Sequence, residues 1–415
     1  MKDISLVKQM KDEVMEDLDL TGSTSDEELE AKIEEIIFAY SRDQRFTATQ
    51  KQQLVDAVFS SFRGLDALQP LLDDPSVTEI MINSHNEVFI ERAGQTIQTD
   101  VQFPSRARLE DIIQSIVSRV NRIVNESSPI VDARLQDGSR VNVVLPPIAL
   151  KGPTMTIRKF PEKPVGVEDL IKWRALSAPV ASFLEDLVKA KYNVFISGGT
   201  GSGKTTFLNV LSNFIPQDER IITIEDSAEL QIRNVPNLVA LETRNANTEG
   251  KGEVTIRDLI RASLRMRPNR IIVGEVRGSE ALDMLQAMNT GHDGSLSTGH
   301  ANSTKDMLSR LETMVLSGAS LPVEVIRQQI SSAVNIMIHL SRLRDKTRKV
   351  VAVSEMLDVV DGEYQMNPLF EFVEERETDD GKIIGDLQPT GNQLQQTLRL
   401  KAAGIPVPDV TKLTS

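Results

Sequence analysis

The chain lacks cysteine altogether and is poor in aromatic residues. With no cysteine among 415 residues, disulfide bonds, cysteine-ligated zinc sites and thiol catalysis are excluded. Aromatic side chains make up 4% of the sequence, and Trp173 is the single tryptophan. The apolar fraction of 40% is still enough for full-sized hydrophobic cores, and the length predicts two or three domains.

Long apolar runs and an excess of positive charge are also missing. No apolar run approaches the roughly 20 residues of a membrane-spanning helix, and the N-terminus lacks the apolar core of a signal peptide. We therefore expect no transmembrane segment and a cytoplasmic protein. The net charge of −13, with six Lys/Arg against thirteen Asp/Glu in residues 1–45, argues against a dedicated DNA or RNA binder.

A glycine-rich segment is the most informative feature that is present. Residues 198–205 match the pattern G-x-x-x-x-G-K-[ST], between an apolar run at 194–196 and a helix-compatible stretch at 206–211. Backbone N–H groups in such a loop, together with the helix dipole, favour phosphate. The sequence therefore predicts a nucleoside triphosphate site, with a chance match in a glycine-rich turn as the alternative. Its predicted residues are Gly198, Gly199, Thr200, Gly201, Ser202, Gly203, Lys204, Thr205 and Thr206.

Two residues of this segment have predicted roles beyond backbone binding. Lys204 is expected to reach the β- and γ-phosphates, and the hydroxyl of Thr205 is expected to bind Mg²⁺. Two apolar strands further along end in carboxylates, at Glu275 and at Glu225. We predict that Glu275 activates or positions the attacking water beside Mg²⁺ and that Glu225 supports the water or the metal. The alternatives are a Glu275 that only caps the helix predicted at 279–288, and a Glu225 that is a neutralised structural carboxylate.

One histidine and three arginines are further candidates. His300 lies where a predicted strand gives way to a helix, and an imidazole there can sense the γ-phosphate or orient its neighbours. Arg134, Arg140 and Arg158 lie within or beside strands of the preceding domain, and the planar guanidinium suits phosphate. A structural histidine and solvated or ion-paired arginines are the alternatives, and the residues alone do not choose among the three arginines.

Hydrophobic periodicity divides the chain into five segments. We predict an N-terminal helical segment at 1–64, an α+β domain at 65–160, a linker at 161–169, a nucleotide-binding α/β domain at 170–357 and a C-terminal extension at 358–415. Alternating strands and helices in the fourth segment predict a mainly parallel sheet with the nucleotide at the carboxyl ends of its strands. The predicted strands are 193–197, 220–225, 238–242, 270–273, 294–298 and 334–340, followed by 350–356 and an acidic, turn-rich stretch at 374–381.

Four segments, in this order, resemble the Walker A, Asp-box, Walker B and His-box segments of the type II/type IV secretion ATPase superfamily. They are residues 198–205, Ile224-Glu225-Asp226, 273–278 and 298–303. Runs at 264–268, 287–292 and 88–92 further resemble the CpaF-like, tight-adherence (Flp) pilus branch, and the likeness spans about residues 65–357.

The resemblance implies a fold, an activity and partners. The fold is α/β, with a RecA-like P-loop ATPase core, a preceding α+β (PAS-like) domain and an N-terminal helical segment. The activity is that of a homohexameric, ATP-hydrolysing motor that powers pilus assembly or protein secretion. Such a motor uses ATP and Mg²⁺ and acts through an inner-membrane platform protein, at the cytoplasmic face of the membrane.

The resemblance also assigns roles residue by residue. Lys204 and Thr205 bind phosphate and Mg²⁺, Glu275 is the catalytic glutamate and also lies at the metal, Glu225 is its partner, and His300 is the His-box histidine. The family's γ-phosphate arginine corresponds in position to Arg140, with Arg158 and Arg134 as further candidates.

Two other functions share the predicted core. A hexameric nucleic-acid translocase is one, but the acidic balance and the lack of a groove with interleaved basic and aromatic residues count against it. A nucleotide-binding scaffold with negligible hydrolysis is the other. The residues do not distinguish pilus assembly from retraction or secretion.

Overall fold

The computed structural model forms two compact units, Met1–Glu162 and Lys163–Ser415. It describes residues 4–17, 26–41, 46–63, 66–92, 94–119, 122–135, 137–160, 163–246 and 250–413. Residues 64, 65 and 161, at which the sequence placed domain boundaries, lie outside the described residues.

The first unit begins with helices, as predicted. Helices α1 (Ile4–Asp17), α2 (Asp26–Tyr40) and α3 (Ala48–Arg63) share an apolar core. Thr47 and Gln50 form a reciprocal cap at the start of α3: the Thr47 hydroxyl accepts from the Gln50 N–H at 3.2 Å, and the Gln50 side chain accepts from the Thr47 N–H at 2.9 Å. Buried side chains of the core include Met10, Val14, Leu29, Ile33, Ile37, Val55 and Val58.

The rest of the first unit is an antiparallel sheet packed on one helix. After a 3-10 turn at Asp66–Leu68, the elements are α4 (Gln69–Asp73), β1 (Val77–Ser84), β2 (Glu87–Arg92), β3 (Gln95–Gln98), α5 (Arg106–Arg119), β4 (Ile130–Arg134), β5 (Arg140–Val144) and β6 (Thr154–Arg158). The strand order is β3-β2-β1-β6-β5-β4. Burial alternates along β5 and β6, so Val141, Val143, Met155 and Ile157 join Ile113 of α5 in the core.

The second unit is built on a nine-stranded sheet. Its elements up to the last parallel strand are α6 (Val167–Lys172), α7 (Ala178–Lys189), β7 (Val194–Gly198), α8 (Lys204–Ser212), β8 (Ile221–Glu225), β9 (Leu238–Glu242), α9 (Ile256–Ser263), β10 (Arg270–Val273), α10 (Glu280–Asn289), β11 (Leu296–His300), α11 (Thr304–Gly318), α12 (Val323–Ala333) and β12 (Ile336–Arg342). The remaining elements are β13 (Arg348–Val360), β14 (Glu363–Glu377), β15 (Ile383–Pro389), α13 (Leu398–Ala402) and a 3-10 turn at Val410–Lys412.

Six strands of this sheet are parallel, in the order β12-β7-β11-β10-β8-β9. Every residue of β7, β8 and β10 is buried, as expected for strands covered on both faces. The six predicted parallel strands are confirmed, each within two residues of the predicted bounds. Because parallel strands end at the same edge, the segments that follow β7, β8, β10 and β11 gather there.

The sheet continues past residue 357 as an antiparallel extension, β12-β13-β14-β15. The strand predicted at 350–356 is confirmed within β13, but the prediction of turns from residue 374 is wrong in part, because Glu374–Glu377 end β14. The reason is a charge contact: Arg344 donates to Glu374 at 2.7 Å and to Glu377 at 2.9 Å, which compensates the acidic run. Among the helices that the structure describes, none is long and apolar enough to cross a membrane.

Candidate active site

The predicted phosphate loop connects β7 to α8, and its backbone requires glycine. Gly201 and Gly203 have φ angles of +71° and +94°, in the left-handed region that side-chain-bearing residues avoid. A Cβ at Gly198 would lie 2.5 Å from both the Leu340 carbonyl oxygen and Ser202 Oγ. The loop is therefore closed tightly around its own backbone, and α8 begins at Lys204 with its N–H groups directed at the loop.

Lys204 folds back over this loop. Its Nζ donates to the Gly199 carbonyl oxygen at 2.9 Å, and Ser202 Oγ donates to the same oxygen at 2.8 Å. The lysine is only 6% exposed. Burial lowers the pKa of Lys204, Glu275 opposes the shift, and Arg277 adds to it. A desolvated cation therefore lies at the mouth of a backbone nest, which is the arrangement that binds phosphate.

Four further charged or polar groups continue from Lys204 in an unbroken chain of contacts. Lys204 Nζ lies 3.2 Å from His300 Nδ1, and His300 Nε2 lies 2.8 Å from Glu275 Oε1. Glu275 Oε2 accepts from Arg277 Nη2 at 2.9 Å, and Arg277 Nη1 lies 3.4 Å from Asp226 Oδ2. The structure thus brings together three predicted site residues from three different elements, and it adds Arg277.

The contacts of His300 determine which ring nitrogen carries its proton. An ammonium group only donates, so Nδ1 accepts from Lys204 and the proton of the neutral ring is on Nε2, on the side of Glu275. Burial lowers the pKa of His300, as do Lys204, Arg277 and Arg310, while Glu275 opposes the shift. The ring is therefore neutral at pH 7.

Glu275 lies two residues beyond the end of β10, with its side chain 19% exposed. Among the described residues, no hydrogen bond of good geometry reaches its buried Oε1, although His300 Nε2 is close. The carboxylate that caps the following turn is a different one: Glu280 accepts from the N–H groups of Arg277 and Gly278 at 2.6 and 2.9 Å. Glu275 thus has an acceptor atom left for a ligand or a water molecule.

Glu225 has a different environment from Glu275. It is 4% exposed, and its Oε1 accepts from the N–H groups of Glu229 and Leu230 at 2.9 and 3.2 Å. A Cβ at Gly274 would lie 2.9 Å from Glu225 Cγ, so the glycine leaves the space that this side chain fills. The carboxylate shapes the chain after β8 and packs directly behind the segment that carries Glu275.

The three arginines of the first unit lie side by side across its sheet. Arg134, Arg140 and Arg158 are direct partners on β4, β5 and β6, and the row continues to Glu79 and Glu91 on β1 and β2. Direct partners on neighbouring strands have side chains on the same face of the sheet, and here that face is the one opposite the core. Like charges placed opposite one another on a sheet are destabilising. We call Arg134, Arg140 and Arg158 the arginine row.

Three residues at the edge of the nine-stranded sheet were missed as site residues. Arg277 lies within the recognised 273–278 segment, so position alone could have suggested it. His339 is 8% exposed, with Nδ1 2.8 Å from Ser197 Oγ, and burial lowers its pKa. Arg348 donates from Nε to the Gly201 carbonyl oxygen at 2.8 Å. For His339, the one available signal was a histidine in the apolar strand β12. Arg348 was hidden because its contact with Gly201 joins positions 147 residues apart.

This geometry agrees with comparisons to known proteins. The chain belongs to the Type II/IV secretion system protein family, whose model matches residues 62–383. It is 34% identical over 303 residues to the type IV secretion system protein VirB11 of Brucella suis, covering 66% of this chain and 84% of that protein. It is 33% identical over 305 residues to the conjugal transfer protein TrbB of Rhizobium radiobacter, covering 72% and 90%.

A solved structure supports the fold. The pilus retraction motor PilT, crystallised with bound ADP, superimposes with a TM-score of 0.51 over 82% of this chain and 87% of that chain, at 18% identity. The predicted superfamily and the predicted α/β fold, an ATPase core preceded by a further domain, are confirmed.

Proposed function

We propose that this protein is an ATP-hydrolysing motor that powers pilus assembly or protein secretion. The observation that carries the proposal is the chain of contacts Lys204–His300–Glu275–Arg277 beside the phosphate loop. It puts a phosphate-binding cation, a neutral imidazole and a carboxylate with a remaining acceptor atom at one edge of a parallel sheet. Membership of a family that includes type IV secretion and conjugal transfer proteins supports the same function.

In this proposal the loop residues Gly198–Thr206 bind the phosphates of ATP through backbone N–H groups, and Lys204 contacts the β- and γ-phosphates. Mg²⁺, when bound, neutralises charge on the phosphate oxygens. The residues fit that ion: the half-buried Thr205 follows Lys204 in the first turn of α8, and Glu275 lies near. No cluster of three or more carboxylates or histidines occurs among the described residues, and Mg²⁺ bound through substrate phosphates needs none.

Glu275 is the proposed general base. Its Oε1 takes the hydrogen bond, and then the proton, of the attacking water. Arg277 donates to Oε2, and His300 Nε2 lies beside Oε1, so the two side chains together fix the direction of the carboxylate. Glu225 supports this arrangement from behind, through its packing against Gly274.

The arginine row is the proposed source of positive charge for the γ-phosphate, with Arg140 first and Arg158 and Arg134 beside it. Its support is positional: strand register brings the three arginines side by side on one face of the sheet, and the planar guanidinium suits phosphate. Delivery of such charge to the terminal phosphate is a recurring means of accelerating phosphoryl transfer.

Steady-state ATP hydrolysis tests the catalytic part of the proposal. We expect Mg²⁺-dependent turnover by the wild type and its loss in Glu275→Gln, with nucleotide binding retained. Equal turnover in the two proteins would instead favour a nucleotide-binding scaffold.

The assembly and the partners are proposed from the family resemblance. We propose a homohexamer at the cytoplasmic face of the inner membrane, working on a platform protein, and assignment to the tight-adherence branch on the motifs at 264–268, 287–292 and 88–92. Native mass spectrometry with ADP tests the hexamer. Cytoplasmic loops of a platform protein should stimulate ATP hydrolysis, and stimulation by polynucleotide alone would favour a translocase.

A further inference from the structure

The hairpin between β12 and β13 lies beside the phosphate loop. Strand β12 runs parallel to β7, with Leu340 opposite Gly198, so the hairpin leaves the sheet at the same edge as the loop. Arg342 and Arg348 are direct partners at the base of this hairpin. Two cations therefore stand opposite each other next to a predicted anion site.

Arg348 contacts the loop itself. Its Nε donates to the Gly201 carbonyl oxygen at 2.8 Å, and its Cδ lies 3.5 Å from the position that a Cβ of Gly203 would occupy. The side chain is exposed, and it lies across the loop from Gly201 to Gly203. With Nε used by the backbone, the two Nη groups of the guanidinium are left for other acceptors.

Another arginine of the same hairpin provides a contrast. Arg344 is paired with Glu374 and Glu377 of β14, so its role is to hold the hairpin against that strand. Within the described part of the chain, neither Arg342 nor Arg348 has a carboxylate within 4.0 Å. Opposed like charges destabilise a hairpin, so the fold alone does not account for this pair.

Strand order indicates which end of a nucleotide this hairpin faces. The order is β13-β12-β7-β11-β10, so Glu275 and His300 lie on one side of the loop and Arg348 on the other. A triphosphate whose γ-phosphate points towards Glu275 therefore has its α-phosphate on the side of β12 and β13. Lys204 is expected to serve the β- and γ-phosphates, while the α-phosphate is expected to be held by backbone N–H groups. A guanidinium on the side of β12 and β13 would add a charge-assisted hydrogen bond to it.

We propose that Arg348 is a nucleotide-binding residue that contacts the α-phosphate, with Arg342 adding positive charge behind it. The proposal rests on the proposed function, since it concerns the same nucleotide. Because ADP and ATP share the α-phosphate, Arg348 strengthens the binding of both equally and leaves the chemical step unchanged.

Equilibrium binding of ADP and of ATP to the full chain tests this, with Mg²⁺ present. In Arg348→Ala we expect Kd to rise about tenfold for both nucleotides, the usual effect of losing a charge-assisted hydrogen bond. We expect Arg348→Lys to give intermediate values, because it keeps the charge but not the fork. Lys346→Asn is the matched control: it removes one positive charge at the exposed tip of the same hairpin, at a positive φ of 68° that asparagine tolerates.

Three results would overturn the inference. The first is unchanged Kd values in Arg348→Ala. The second is a loss of affinity for ATP but not for ADP, which indicates a γ-phosphate contact. The third is an equal loss of affinity in Lys346→Asn, which indicates a general charge effect. Unaltered thermal unfolding of each variant keeps these outcomes interpretable. A wild type that binds neither nucleotide would overturn the proposed function as well, whereas failure of Arg348→Ala alone leaves it standing.

Discussion

The two units of this protein assemble charged residues in different ways. In the second unit, Lys204, Glu275 and His300 lie at or beyond the carboxyl ends of three parallel strands: Lys204 begins α8, Glu275 lies in the loop after β10, and His300 ends β11. In the first unit, the arginine row crosses three antiparallel strands on one face of the sheet. The first group of charges meets at an edge of a sheet, and the second is aligned by strand register across a face.

This difference follows from strand direction. Neighbouring parallel strands end at the same edge of the sheet, so the residues that directly follow each strand in sequence come together there. Neighbouring antiparallel strands end at opposite edges, and only residues in register meet. A motif search therefore finds the first group as a unit, whereas the three arginines appear in sequence only as separate candidates and form one row only when the strand pairing is known.

The largest expected effect is in the second unit. We expect Lys204→Ala to lower ATP turnover by at least about a thousandfold, because it removes phosphate binding and charge stabilisation together. Lys189→Ala, an exposed lysine paired with Glu185 on α7, is the control and should keep wild-type turnover. Activity or in-vivo function retained in Lys204→Ala would remove the basis for the motor assignment.

The next effect separates the two glutamates of the edge site. We expect Glu275→Gln to lower kcat by about a hundredfold or more through loss of the general base, with ATP affinity retained. Glu225→Gln should instead lower the thermal unfolding temperature, because its carboxylate accepts two backbone N–H groups. Comparable kcat losses with unchanged stability in both variants would contradict this division of roles.

The next prediction concerns the arginine row of the first unit. Single changes at Arg140, Arg158 and Arg134 to Ala should each reduce kcat, by about tenfold to a hundredfold for the one in contact with the γ-phosphate, and leave ADP affinity unchanged. Arg92→Ala, which breaks a pair with Asp74 in the same unit, is the matched control. Full activity in all three variants would leave the row without a catalytic role.

A smaller effect concerns pH. The pKa values of His300 and His339 are lowered mainly by burial, so both rings are neutral in the native state at pH 7. The free energy of unfolding that these lowered pKa values contribute is fully present above the unfolded-state pKa of about 6.5. It is lost as the pH falls from about 6.5 towards the lower pKa values of the native state. Unfolding temperatures between pH 7.5 and 5.5 should fall less in His339→Gln than in the wild type. Equal pH slopes would refute the assignment to His339.

The smallest effect is steric. We expect Gly274→Ala to destabilise the protein by about 1–3 kcal/mol, since its methyl group would meet Glu225 Cγ. Gly199→Ala meets nothing within 4 Å and serves as the stability control in urea unfolding. Equal free energies of unfolding for these two variants would show that the contact at Gly274 is readily relieved.

Sequence predicts the second unit well because its signals are local. Apolar runs locate the six parallel strands within two residues, and the loop, Glu275 and His300 follow from short motifs. In the first unit, β3 has four exposed residues with three polar side chains, so no burial pattern in the sequence locates this strand. His339 reaches the site because β12 pairs with β7, and Arg348 reaches it because β13 pairs with β12. No local window of sequence contains either contact.

The contact between Lys204 and His300 links substrate occupancy to proton affinity. An incoming phosphate that draws the lysine away takes a positive neighbour from the imidazole and brings a negative one closer. Both changes raise the pKa of His300, whose Nε2 lies beside Glu275. On the proposed mechanism, filling of the nest would therefore change the charge beside Glu275 through two side chains, Lys204 and His300.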